Sequence, residues 1–506
     1  MEQQTSSANA GAAGPARPPR SFWFKILLAL TAVLVVGLGG WYFSLQWQSW
    51  RSWRHWQQYK TELEARGEKF ELQALAPAPV PEDKNFALHP LIARWFTPGA
   101  VSSTNGSQRW FFAPGAEDPE RRRGGSGPVR GDGSGALLAR WAAYYQGHRG
   151  FPQAPAGSPP AQVVRTALSI YDADIQALRE AMKQRPMCRY PLNYEMGGAL
   201  NYPHLVGCRS LATTLELRVM SFLHLGQVEE AFAELQLGFF ISDTLQADPL
   251  LVSLLLRMAL DQMLSEAVLE GIKQRQWNDA QLAWLTQYLG QRQYLREFAA
   301  VLRGERNFAV HQTELLRQGK VHAQTGEAEL TPAGERALKL LPRGLYYRNL
   351  VELVHLYQEE VLPAVNVAAR RMDKERLQAL NTSAAAAEGN PYGLEVRQLL
   401  PAIHNGALKA ARWQAMGDSL WVACALERYR LAKGRLPNQL EELAPQYLPA
   451  LPLDCLTGKP LSWRKESETV YRVYGWGWNG KDEGGRPGHR LEDGDWGVEV
   501  RLTAPN

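Results

Sequence analysis

The densest collection of groups able to hold a ligand lies in GWGWNGKDEGGRPGHRLEDGDWG, residues 475–497. Asn479, Asp482, Glu483, Glu492, Asp493 and Asp495 all offer oxygen atoms there. A hard cation such as calcium takes ~6 to 8 oxygens from carboxylates and carbonyls. The interspersed glycines permit the left-handed backbone that a tight loop requires. The spacing does not follow the EF-hand ligand pattern. Lys481, Arg486, His489 and Arg490 lie in the same stretch, so a loop closed by its own ion pairs is the competing reading.

Other chemistry is sparse. There is no HExxH, no GxSxG elbow, no phosphate-binding loop and no dinucleotide fingerprint. His204 in NYPHL and Glu305 in RGERN are the polar residues of the central region to inspect first, each as a structural hydrogen-bonding group before a catalyst. Two carboxylates brought together in space leave no sequence signature, which keeps a hydrolase among the readings. The four cysteines, Cys188, Cys208, Cys424 and Cys455, show no CxxC or other close metal-ligand spacing.

These groups need elements to position them. Around the acidic loop, Leu461 to Arg464, Val470 to Tyr474 and Trp496 to Val500 fit three strands. A helix over Leu400 to Lys433 feeds them and closes at Gly434. Leu426, Tyr429 and Leu431 are expected to bury one side of it, and a short helix NQLEELAPQYL to pack Leu440, Leu443 and Leu448 on the core. From Ala161 to Lys433 the apolar period is helical: Val164, Leu168, Ile175 and Leu178 lie near one face. Leu211 to Leu223 reads as a mostly buried helix ended by Gly226, and Leu380 to Tyr392 as a loop.

The stretch ALERYRLAKGRLPNQLEELAPQYLPALPLDCLTGKPLSW, with YRVYGWGWNGKDEGG and EDGDWGVEV after it, resembles the C-terminal module of the major pseudopilin of type II secretion systems. That resemblance implies an antiparallel sheet with a calcium-stabilised loop, ligands Asp482, Asp493 and Asp495, and carbonyls near Asn479. Two departures limit it. The apolar span lacks the glutamate near its start that a pseudopilin carries, and about 380 residues separate span from module. LELRVMSFLHLGQVEEAFAELQLGFF resembles one tetratricopeptide hairpin, with no second copy at that period. With GEKFELQALAPAPVPEDKNFALHPL and RYPLNYEMGGALNYPHL, the whole chain is similar to a group of large uncharacterised bacterial membrane-anchored proteins, which brings no activity with it.

From Ile26 to Trp50 there is no charged residue, and residues 24–46 read as a membrane span of the ~20 residues a crossing helix needs. Trp41, Tyr42 and Trp47 suit rings held at headgroup level, and a cleaved signal peptide is the competing reading. Trp47, Trp50, Trp53 and Trp56 recur every third residue, on a helix that either rests on the membrane or packs on its own domain. Arg17, Arg20 and Lys25 before the span nearly balance Arg51, Arg54 and Lys60 after it. Placement of the bulk on the periplasmic side of the inner membrane therefore follows from the short N-terminal tail and the exported-type module. In that compartment Cys188 pairs naturally with Cys208, and Cys424 with Cys455.

At 506 residues the chain has room for two or three cores. Its 56 Lys and Arg against 51 Asp and Glu are spread along the sequence, which argues against nucleic acid as a partner. The expected organisation is mainly α: an Ala-, Gly- and Pro-rich disordered tail 1–20, a transmembrane helix 21–46, a juxtamembrane helix 47–75, an extended linker and loop 76–135, a helical array 136–418 and a small α+β module 419–506. Three functions are compatible with it. They are a non-enzymatic envelope scaffold with a protein partner, an accessory part of a type II secretion or pilus-like machine, and an envelope hydrolase with a carboxylate site.

Overall fold

A computed structural model describes residues 20–72, 76–97, 133–318, 342–386 and 394–503. The expected unfolded tail before Arg20, the Pro- and Gly-rich loop up to residue 132 and residues 387–393 lie outside them. The described chain is mainly α with small antiparallel sheets.

Span and juxtamembrane helix form one element, α1 (Arg20–Ala65), about 69 Å long at 1.5 Å per residue. It is long and apolar enough to cross a membrane, and among the described residues nothing buries its apolar stretch. The tryptophan series divides along it: Trp47, Trp50 and Trp53 stay 56%, 46% and 42% exposed, while Trp56 falls to 5%. Trp56 meets Phe70 edge-on at 5.8 Å and Leu63 is fully buried, so this part of the helix packs on its own domain. The chain beyond it is less extended than the prolines suggested. Short turns at Glu82–Lys84 and Phe86–Leu88 lead into α2 (Pro90–Ala93), and Phe86, Ile92 and Trp95 are buried against the body.

The body contains α3 (Gly133–Tyr145), α4 (Pro160–Ala167), α5 (Asp172–Gln184), α6 (Pro203–His224), α7 (Val228–Asp243), α8 (Leu251–Lys273), α9 (Asp279–Gly290), α10 (Tyr294–Arg317), α11 (Arg343–His355) and α12 (Lys374–Ala386). α6 ends where expected, with Gly226 at φ 72°, a conformation that favours glycine. Val164, Leu168, Ile175 and Leu178 are all buried. Arg218 on α6 joins Glu234 on α7 at 2.8 Å and Asp172 on α5 at 2.6 Å, tying three helices through one guanidinium. The expected loop from Leu380 is helical through Ala386, as the high helix propensity of its alanine run allows.

α13 (Leu394–Lys433) is the spine that carries the tail. Two-residue strands β1 (Val365–Asn366) and β2 (Arg371–Met372) pair beside it, and β3 (Ser462–Lys465), β4 (Val470–Gly475) and β5 (Trp496–Arg501) form an antiparallel sheet in that order. Leu426 and Tyr429 are buried as expected, but Leu431 is 47% exposed. Two residues turn a helix by about 200°, so Leu431 cannot share the face of Tyr429. The expected helix NQLEELAPQYL shrinks to one turn, Leu440–Leu443.

The expected boundary between residues 418 and 419 falls inside α13, and tail residues belong to both apolar cores. Tyr471, Val473, Val498 and Val500 join the core of α3–α9, while Cys455, Trp478 and Trp496 join the second core with α10 and α11. The tail is therefore a built-in part of the body rather than an appended domain.

Candidate functional site

The acidic tail loop is held at both ends by the sheet. Asp495, next to the start of β5, accepts the N–H groups of Glu483 at 2.8 Å and Gly485 at 2.7 Å through Oδ2. Its Oδ1 is buried with no hydrogen-bond partner, and so is Oε2 of Glu483. Burial pushes the Asp495 carboxyl up to about 6 against the pull of those two N–H groups, and the charges of Glu483 and Asp482 add to the rise. Asp482 Oδ1 accepts from the Tyr474 hydroxyl at 3.1 Å and from Gly484 N–H at 2.9 Å. Gly494 has φ 71°, and a Cβ there would lie 2.0 Å from Gly488 N, so the loop closes on itself only with glycine.

Of the four residues expected as ligands, the fold brings Asp482 and Asp495 together around Glu483. Asn479 joins the same group through Glu483: its amide donates to Glu483 Oε1 at 2.7 Å, its Oδ1 accepts Lys481 N–H at 2.9 Å, and it lines the same cleft as Asp493. Asp493 lines an open cleft of about 870 Å³ with Arg464, Tyr474, Asp482, Glu483 and Arg486. Among the described residues, no three His, Cys, Asp or Glu side chains converge closely enough to form a ready metal cage.

A second cluster joins the two polar residues singled out in the body. His204 is fully buried, its ring centred 4.4 Å from Tyr190 and stacked on Phe96 at 6.0 Å. Its Nε2 lies 3.5 Å from Asp248 Oδ2, and neither ring nitrogen has a hydrogen-bond partner. Asp248 accepts hydroxyls of Ser253 at 2.6 Å and Tyr194 at 3.1 Å. Glu305 reaches across from α10 to accept Leu251 N–H at 2.7 Å, satisfying a donor at the start of α8. Burial raises the Glu305 carboxyl and the Asp248 charge adds to it. Burial, then Glu305, then Asp248 push the Tyr202 phenol up to about 12. Asp248 is the centre of this cluster, and sequence reading missed it. Its only signal is the DPLL that opens a helix.

Further buried charges are paired within the body. Arg257 ion-pairs with Glu297 and, at 3.0 Å, with Asp243; Arg292 pairs with Asp243 and, at 3.4 Å, with Asp261. Asp261 also accepts the Ser242 and Tyr294 hydroxyls at 2.6 and 2.7 Å. Burial pushes Asp261 up to about 6, with Arg257 opposing. Asp418 on α13 is likewise pushed up to about 6 by burial, while Arg370 and Gln414 hold it at 2.8 and 3.0 Å.

All four cysteines are free thiols. Cys188 and Cys208 both lie against the Tyr190 hydroxyl, which is 3.2 Å from Cys208 Sγ. The expected bridge of Cys424 to Cys455 does not fit. Cys455 Sγ donates to Ala411 O at 3.3 Å, and Cys424 lies on the same helix about 20 Å along the axis. A disulfide requires Cα atoms within about 7 Å.

No protein family, curated protein or solved structure matches this chain.

Proposed function

We propose that this chain is a single-pass, membrane-anchored envelope protein of non-enzymatic type, with its bulk on the periplasmic side of the inner membrane, acting as an interaction scaffold. The observation that supports this is the open tail cleft with charges of both signs, Arg464 and Arg486 facing Asp482, Glu483 and Asp493. Such a surface suits a protein partner with the complementary charge pattern. Because the tail shares both cores of the body, the cleft is presented at a fixed position. Calcium belongs to the same proposal. The unpartnered oxygens of Asp495 and Glu483, with Asp482 beside them, would supply carboxylate ligands, and the ion would neutralise their mutual repulsion.

Capture of the full-length chain from crosslinked membranes tests the scaffold, comparing the wild type with an R464E/R486E double variant. A partner retained by the wild type and lost by the variant is expected. Equal recovery with both proteins would contradict a role for the cleft. If the lost partners were secretion subunits, the chain would be an accessory of a type II secretion system, as the pseudopilin-like tail suggests.

The cluster of His204, Asp248 and Glu305 favours a second reading, an envelope hydrolase. An unpartnered imidazole beside a buried carboxylate is a usable general base once a substrate is present. Turnover of chromogenic ester, phosphate or glycoside substrates that disappears in Asp248→Asn, with folding retained, would support it. No turnover by the wild type across that panel would count against it.

A further inference from the structure

Where the apolar run of α1 ends, a groove of about 1220 Å³ opens between α1 and α11. It is lined by α1 from Leu45 to Gln58 and by the other wall from Pro342 to Glu352. The α1 wall carries Arg51, Arg54 and His55, and the facing wall carries Arg348, with Glu352 the acid among the lining residues. Arg51 and Arg54 are exposed, and among the described residues neither has a carboxylate partner. The Arg54 guanidinium sits 4.8 Å from the centre of the Trp50 ring. The walls are fixed: Gly344 N–H donates to Ser49 Oγ at 3.0 Å, and a Cβ on Gly344 would meet Ser49 Cα at 2.8 Å.

The depth of this groove is informative. From Gln46, where the span ends, to Arg51 and Arg54 is about 8 to 12 Å of helix. The polar layer outside a hydrocarbon core of about 30 Å is only about 5 to 8 Å thick on each side. Long arginine side chains directed back toward that layer reach phosphate level. Guanidinium groups bind phosphate oxygens in a bidentate manner, and a ring beside them keeps the plane in place. Leu45, Leu345 and Val351 add an apolar wall that would cover the glycerol end of a lipid, whereas a free phosphate has no use for it.

We propose that this groove binds the headgroup of an anionic phospholipid, with Arg51 and Arg54 on its phosphate. The proposal rests on α1 crossing the membrane, and the test separates the two. Alkaline extraction of membranes reports anchorage: release of the chain would sink the anchor and the headgroup site together. For a retained chain, native mass spectrometry of the full-length protein in detergent compares titration with phosphatidylglycerol and with phosphatidylcholine. The expected result is preferential phosphatidylglycerol binding that weakens about fivefold for each of Arg51→Gln and Arg54→Gln, and is only partly restored by the lysine variants, which keep the charge and lose the bidentate fork. Both arginines are exposed, and unchanged thermal melts of the variants would exclude a folding defect. Equal phosphatidylglycerol affinity in wild type and R51Q/R54Q would overturn the site. Full displacement of the lipid by millimolar inorganic phosphate would overturn the lipid as its occupant.

Discussion

The buried charges of the helical body and those of the tail loop are arranged on opposite plans. In the body, Asp243, Asp261 and Glu297 face Arg257 and Arg292, tyrosine and serine hydroxyls donate to further carboxylate oxygens, and the atoms left without a partner are the two guanidinium Nε–H donors rather than carboxylate oxygens. In the loop, Asp482, Glu483 and Asp495 lie close together, and two of their buried oxygens have no partner. Carboxylates paired with guanidiniums inside a core hold helices together; carboxylate oxygens left without a hydrogen-bond partner beside an open cleft are acceptors a ligand can use. That contrast supports reading the body as a support and the tail loop as its working surface.

The largest expected effect breaks the matched plan. Arg257→Met would leave Glu297, Asp243 and Asp261 short of one fully buried cation. A loss of about 3 to 5 kcal/mol is expected, measured by urea unfolding of the full chain. Arg370→Met should cost less, about 1 to 3 kcal/mol, because Arg370 is partly exposed while Asp418 loses one of two partners. If either variant matched the wild type, the body network would not be the support described.

A smaller effect comes from pH. Burial pushes the Asp261 and Asp418 carboxyls up to about 6 in the folded chain, above an ordinary value of 3.8. Between those values the folded state holds protons that the unfolded state has released. Their contribution is fully present below about pH 4 and lost as pH rises through 6. Stability should therefore rise by about 1 kcal/mol per carboxyl from about pH 7 to about pH 5. Glu270 runs the other way, held down to about 2 against its burial by His224, Ser134 and Gln274, so its contribution is lost only at more acid pH. A melting temperature that falls between pH 7 and 5 would contradict the burial of those two aspartates.

Much of the fold was legible, for identifiable reasons. Gly226 marks the α6–α7 turn because a left-handed residue is needed there, and alternating apolar residues place β4 and β5 within a few residues of their ends. What the sequence hides depends on three-dimensional proximity. Cys424 and Cys455 read as partners because both fall in the tail of a chain placed in an oxidising compartment, yet α13 carries Cys424 away from the Cys455 thiol. Asp248 meets His204 and Glu305 only because two helix starts and one helix interior converge, which no local pattern records. Arg257 and Asp261 did leave a signal: charges four residues apart inside LLLRMALDQML point to partners in a core. In the acidic loop the residue types were evident, but their grouping was not: Glu483 lies beside Asp495, and Asp493 lines the same cleft as Asp482.

The smallest effect on stability accompanies the most direct test. Asp495→Asn keeps an acceptor for Glu483 and Gly485 N–H and turns the unpartnered oxygen into a donor, so a change within about 0.5 kcal/mol is expected without added metal. The decisive measurement is the melting temperature of the full-length protein titrated with calcium, for the wild type and this variant side by side. A rise at millimolar calcium in the wild type that disappears in Asp495→Asn is the expected result. No rise in the wild type, or the same rise in both, would contradict a ligand-binding tail loop.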